Sequence, residues 1–246
     1  MLIWFVVGIL SLLVITWIVR SKTTRLANER IPSVNVVLIG ASIGQSWHLT
    51  EWPTRTNVSG FTTESISAWQ FDKSEALEEV LMRPSRKFHL TRTYLKSLLQ
   101  PPPGKPNIVI IKECSSYYPG DLKGYKRSIQ QWVGQIRAKQ ITPMLATVVP
   151  VTKARAEQNS GKQQGLLEYN DWVREYAQSE GLQVLDLEVA LRVDETERYL
   201  REEYAASDGS HLNPAAYAVL DEVLRKVLFR SQTATLQGQP VVAVGK

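Results

Sequence analysis

Three residues have the types and spacing to do chemistry together. Ser42 stands in Gly40-Ala41-Ser42-Ile43-Gly44, directly after the apolar run Val34–Ile39. A serine hydroxyl is nearly inert until a neighbouring base takes its proton. His211 is the best-placed base of the three histidines: His89 falls in a predicted helix, and His48 follows Ser42 by only six residues. Asp208 precedes His211 by three positions in Ser207-Asp208-Gly209-Ser210-His211-Leu212-Asn213-Pro214. A loop with that spacing can put carboxylate and imidazole on one side of a turn. The carboxylate would then orient the ring and stabilise its protonated form. Such a set performs acyl transfer through an acyl-serine. Each block also has a plainer reading, Ser42 as a helix N-cap and His211 as a surface side chain in a turn.

The elements around these blocks must position them. Val34–Ile39 reads as a buried strand closed by Gly40. Asn107–Ile111 and Ile141–Val149 read as further buried strands, Val184–Leu187 as a short one, and Thr54–Val58 as a weaker candidate. Helices are predicted over Ser74–Met82, Leu90–Leu99, Asp121–Lys139, Leu166–Ser179 and Asn213–Phe229. Ile129, Trp132, Val133 and Ile136 trace one face of the third. Gly181 is a C-terminal stop, and Asn213-Pro214 an N-cap followed by a proline at the first helical position. Thr152–Gln163 reads as a polar loop, and the tail from Ser231 as disordered. Alternating strands and helices imply a parallel sheet covered on both faces. A serine leaving a strand then sits at the carboxyl edge of the sheet, where open α/β sheets bind ligands.

Composition narrows the function classes. The chain has 246 residues, 43% hydrophobic, with a formal charge of +5 that is scattered rather than gathered in a basic run. That argues against nucleic acid as a partner. One cysteine, Cys114, excludes an intramolecular disulfide. No His/Cys/Asp cluster has ligand spacing, so neither a metal nor a cofactor is expected. Met1–Val19 contains no charged side chain. As a helix it spans about 28 Å, the thickness of a bilayer core. Trp4 and Trp17 sit near its ends, and Arg20, Lys22 and Arg25 follow. With no basic segment before it and no small-residue cleavage site after it, the run is expected to stay as a single-pass anchor. The basic flank favours a cytoplasmic domain. The expected organisation is an anchor over 1–20, a tether over 21–33, a catalytic domain over 34–230 and a tail over 231–246.

Taken together, Gly40-Ala41-Ser42 and Asp208-Gly209-Ser210-His211 resemble the SGNH hydrolases, also called GDSL esterases, over about Val34 to Phe229. Leu167-Glu168-Tyr169-Asn170 to Asp186-Leu187 resembles that family's late helix and strand. The resemblance implies a three-layer α/β/α domain with a flavodoxin-like, five-stranded parallel sheet. It implies Ser42 as nucleophile, Asp208 and His211 as its relay, and an oxyanion hole that Ser42 helps to form. Two departures stand out. Ala41 replaces the family's usual aspartate, which is not the relay carboxylate. Gly60, in Asn57-Val58-Ser59-Gly60, fits the glycine block, but after Asn107–Ile111 the sequence reads Lys112-Glu113-Cys114-Ser115 with no asparagine. Ser115, with Cys114 as runner-up, is the expected substitute donor. Loss of one such donor typically costs about 10²–10³ in rate.

The leading expectation is therefore a serine esterase acting on a small ester or an acylated glycan or lipid. One alternative is O-acyl transfer with the same triad, and another is a catalytically weak binding module. The α/β-hydrolase fold, whose elbow is also G-x-S-x-G, fails on layout because it places several strands before its serine. Trp47, Trp52 and Trp69 are candidates for stacking on a sugar, for lining an acyl pocket or for core packing.

Overall fold

The computed structural model of the chain describes residues 34–84, 104–114 and 120–237. Five strands form one parallel sheet: β1 (Val34–Gly40), β2 (Phe61–Ser67), β3 (Ile108–Lys112), β4 (Thr142–Ala146) and β5 (Gln183–Leu185). Their spatial order is β2-β1-β3-β4-β5. Every neighbouring pair is parallel, with Val34 opposite Phe61, Gly40 opposite Ser67 and Ile111 opposite Leu145. The chain thus winds to one side of β1 and then to the other. The crevice outside the carboxyl ends of β1 and β3 is the switch point where sheets of this kind bind ligands.

Helices cover both faces because the central strands are apolar on both. Val37, Ile39, Val109, Ile111 and Leu145 point to one side. There they pack against α3 (Lys73–Met82), α4 (Leu122–Ala138) and α6 (Ser160–Glu180), given that α1 is Ser42–Ser46, α2 Trp52–Arg55 and α5 Lys153–Glu157. The predicted stripe Ile129, Trp132, Val133 and Ile136 of α4 is the face that is buried. On the other side Val36, Leu38, Ile110 and Met144 meet Trp47, Trp52, α7 (Leu187–Leu191) and α8 (Pro214–Gln237). The α8 stripe Ala216, Leu220, Leu224 and Leu228 repeats every four residues and is fully buried. The result is the expected three-layer α/β/α domain with five parallel strands.

The weaker strand candidate, Thr54–Val58, is corrected. Trp52–Arg55 is a short helix, started by Pro53 in its first turn, and Thr54–Val58 contains no strand. The strand is β2, whose residues alternate between buried Phe61 and Thr63 and exposed Thr62. That polar alternation is what an edge strand with one covered face carries. Thr152–Gln163 is not simply a loop either, since it holds α5 and the first turn of α6. Gly181 ends α6 in the left-handed conformation, φ 63°, as its position predicts. The last helix runs on to Gln237, past Ser231 where disorder was expected. The Leu90–Leu99 helix and the Met1–Val19 anchor lie outside the described residues. Among the described residues no helix is long and apolar enough to cross a membrane.

Candidate active site

The strand-to-helix turn after β1 is built from close approaches. A Cβ on Gly44 would lie 2.7 Å from Leu38 Cδ2, so the second glycine lets α1 settle directly on β1. A Cβ on Gly40 would lie 3.1 Å from Leu38 Cδ2 and 3.4 Å from Lys112 Cβ. Ala41 is completely buried beneath the turn and Ser42 is half-buried. As the first residue of α1, Ser42 has a main-chain N–H with no acceptor inside the helix.

The second arm is a tight turn between Ala205 and Leu212, which bridge each other. Ala206 N–H donates to His211 O at 2.8 Å, and Gly209 N–H to Ala206 O at 3.0 Å. Gly209 has φ 66°, and a Cβ there would stand 2.6 Å from Thr152 Oγ1. Thr152 N–H donates to Gly209 O at 3.0 Å, fastening the turn to α5. Asn213 closes it, accepting from Ala216 N–H at 3.1 Å and donating to Glu203 O at 2.7 Å.

These two arms bring three side chains into line. His211 Nδ1 lies 2.5 Å from Asp208 Oδ2, and His211 Nε2 lies 3.1 Å from Ser42 Oγ. The other Asp208 oxygen, Oδ1, accepts from the main-chain N–H groups of His211 (2.9 Å) and Ser210 (3.0 Å). Partial burial acts to raise the Asp208 carboxyl. The hydrogen bonds from His211 and Ser210 outweigh it and hold the group well below the usual carboxylate range. An ionised Asp208 fixes the ring with its Nδ1 protonated and Nε2 facing the serine, the tautomer that a base needs.

Gly60, expected in the oxyanion hole, stands elsewhere. Its carbonyl accepts from Val34 N–H at 2.8 Å, and it immediately precedes β2. It therefore sits at the amino edge of the sheet, a strand length from Ser42, because the real edge strand begins after it rather than before it. The main chain beside Gly40 at the carboxyl edge is Ser67–Ala68, with Ala68 N–H donating to Gly40 O at 2.8 Å. Ser115 lies outside the described residues. Cys114 is buried in the apolar cluster that also contains Ala41 and Ala68. Trp47 and Trp52 belong to the core and leave the stacking role; Trp69, after β2, is half-exposed. Among the described residues no group of His, Cys, Asp and Glu could hold a metal ion.

Three features were not read from the sequence. A groove of about 360 Å³ lies on the Asp208 side of the line, lined by Thr152, Arg155, Gln158, Glu202, Ser207 and Asp208. Reading Thr152–Gln163 as a polar loop hides it, because α5 forms one of its walls. The second is Glu188, fully buried after β5. It accepts from Arg198 Nε (2.5 Å), Arg174 Nη2 (2.8 Å), Asn170 Nδ2 (2.9 Å) and Arg192 Nη1 (3.3 Å). Burial acts to raise its carboxyl, but the Arg198 and Arg174 hydrogen bonds prevail and lower it to about 2. The third is a buried pair at the end of β3, where Lys73 Nζ lies 3.0 Å from Glu113 Oε2. Burial pushes the Glu113 carboxyl up and the Lys112 ammonium down to about 8.

Comparison with known proteins was made on sequence and on fold. A family model described as GDSL-like Lipase/Acylhydrolase matches residues 88–219, more than half of the chain. The match includes Asp208 and His211 and begins after Ser42. Among solved structures the chain is similar to a GDSL-like lipase from Bacteroides thetaiotaomicron, with 16% identity, a TM-score of 0.60 and coverage of 86% of this chain and 97% of that one. It is similar to a lipase/acylhydrolase from Enterococcus faecalis (15%, TM-score 0.57, 80% and 96% covered). It is also similar to an acetyl xylan esterase (14%, TM-score 0.55, 78% and 98% covered). At these identities the likeness is one of fold. No curated protein matches the chain.

Proposed function

The chain belongs to the GDSL-like lipase/acylhydrolase family of ester hydrolases, and from that premise we propose that Ser42, His211 and Asp208 are its catalytic triad. The observation that carries the reading is the unbroken line Ser42 Oγ, His211 Nε2, His211 Nδ1, Asp208 Oδ2. His211 takes the Ser42 proton as Oγ attacks the ester carbonyl. The tetrahedral intermediate collapses, the C–O bond to the alcohol breaks, and His211 returns the proton to the departing alkoxide. Water, activated by the same imidazole, then attacks the acyl-Ser42 carbonyl and releases the acid. The negative oxygen of each intermediate is met by the Ser42 N–H and by main chain leaving β2 after Ala68. That stretch takes the place first given to Gly60.

The substrate we propose is a small acyl ester of a polyhydroxylated alcohol, such as an acylated glycan. The groove beside Asp208 favours it. Its side chains longer than alanine are all polar, so it suits hydroxyl groups better than an alkyl chain. Ser42→Ala should abolish hydrolysis of p-nitrophenyl acetate while leaving the melting temperature nearly unchanged; undiminished turnover would refute the assignment. Acetylated sugars should be cleaved in preference to long-chain esters. We also propose that Met1–Val19 anchors the chain in a membrane, with the basic flank on the cytoplasmic side. Its lack of any charged side chain supports this. The full chain should then resist carbonate extraction, and release by carbonate would rule the anchor out.

A further inference from the structure

The end of β3 holds more charge than an apolar core tolerates without reason. Lys73, Lys112 and Glu113 are each at most 1% exposed. Lys73 opens α3 and reaches Glu113 Oε2. Lys112 Nζ donates to the Glu113 carbonyl at 2.9 Å. Glu113 Oε1 is buried with no hydrogen-bond partner among the described residues. A buried ion pair with an unsatisfied oxygen is a poor stabiliser, and apolar replacements of such pairs are often neutral or favourable. Its retention calls for a different explanation.

The location supplies one. Both the Cβ and the carbonyl oxygen of Lys112 would touch a Cβ on Gly40, two residues before Ser42. Cys114, next after Glu113, packs in one cluster with Ala41 and Ala68, which flank the serine turn and the end of β2. The main chain at 112–114 is therefore a wall of the Ser42 turn. It is held from two directions, by Lys73 on the Glu113 side chain and by Lys112 on the Glu113 carbonyl.

We propose that Glu113 is a positioning residue for ester hydrolysis: clamped by Lys73 and Lys112, it locks the main chain leaving β3 against the Ser42 turn and so fixes the geometry of the serine and its N–H. This rests on the assignment of Ser42 as nucleophile. The clamp touches no substrate and acts through the backbone. A small displacement of a reacting group costs orders of magnitude in rate while leaving ground-state binding nearly intact. The signature is thus a fall in kcat without a matching rise in KM.

The test is steady-state hydrolysis of p-nitrophenyl acetate by the full chain and three variants, with melting temperatures measured alongside. The paired variant Lys73→Met with Glu113→Leu removes both charges and should melt within a few degrees of the parent. Its kcat should fall at least about tenfold with KM within about twofold. Glu113→Gln keeps the shape of the side chain and should show the same split; it is read in the same way if the apolar pair does not fold. Parent-like kcat in a folded variant overturns the positioning role and leaves Ser42 standing. Loss of melting temperature with kcat per folded molecule unchanged overturns it as well, since the pair would then be structural only. Ser42→Ala is the control. Turnover that survives it removes the premise itself, a result distinct from either of the others.

Discussion

Two buried glutamates stand at the carboxyl edge of the same sheet and are treated in opposite ways. Glu188, beyond β5, is surrounded by Arg174, Arg192, Arg198 and Asn170, and both its oxygens are satisfied. Glu113, beyond β3, has one lysine and one oxygen with no partner among the described residues. The first carboxyl is lowered and the second raised. Burial pushes both upward; the number of donors decides which way each one goes. The fully satisfied glutamate is a bolt. It joins α7 to α6 through Arg174, and Thr147 at the exit of β4 accepts from its N–H at 3.0 Å. The poorly satisfied one follows Lys112, whose Cβ and carbonyl oxygen approach Gly40, two residues before Ser42.

The contrast can be broken by experiment. The largest expected effect on stability is that of Glu188→Ala, which leaves the three arginines facing a cavity. Breaking a buried ionic network costs about 3–5 kcal/mol. In a domain of this size that is roughly a 10 °C fall in melting temperature, with kcat per folded molecule preserved. A kcat loss at Glu188 as deep as that at Glu113 would erase the distinction.

Arg198→Ala should cost less, about 1.5–3 kcal/mol for lost charge-assisted bonds. Arg174 and Arg192 still hold the carboxylate, and thermal melts will rank the two variants. Acid tests the same bolt through its proton. The Glu188 carboxyl is lower in the folded state, about 2, than its ordinary 4.5. Its contribution is therefore complete above about pH 4.5 and is lost as pH falls towards 2. The melting temperature should drop over that interval in the parent and less steeply in Glu188→Gln; equal slopes would show that other carboxylates govern acid unfolding. The smallest effect is expected of Gly40→Ala. Its Cβ meets the movable Leu38 Cδ2 at 3.1 Å and Lys112 Cβ at 3.4 Å. Stability should change by less than about 1 kcal/mol, with kcat falling a few-fold as the turn shifts against the Glu113 clamp.

Much of this was legible in the sequence, and the failures have physical causes. The central strands announce themselves because both their faces are buried, so β1 and β3 read as unbroken apolar runs. The edge strand β2 covers only one face, and Phe61-Thr62-Thr63-Glu64 alternates without the unbroken apolar run that marks β1 and β3. Missing it shifted the glycine block to the wrong end of the sheet and put Gly60 in the oxyanion hole. The spacing that singles out Ser42, Asp208 and His211 is short-range, and the structure brings the three side chains into one line. The groove by Arg155 and the Glu113 clamp are not legible in this way, because each depends on residues far apart in the chain. Nothing in Lys112-Glu113 announces that Lys73, forty positions earlier, pairs with Glu113.

Through Asp221, α8 reaches back to the segment just past Ser42. Trp47 Nε1 donates to Asp221 Oδ1 at 2.8 Å, Arg55 Nε to Asp221 Oδ2 at 2.7 Å, and Trp52 Nε1 to the Asp221 carbonyl at 3.2 Å. Ser42 and His211 are themselves separated by 169 positions. Contacts of such range are the slowest to close. The turn that carries His211 to Ser42 runs straight into α8, and α8 is bound to the residues just past Ser42. A chain that lacks Asp221 loses the hydrogen bonds that tie α8 to the segment just past Ser42.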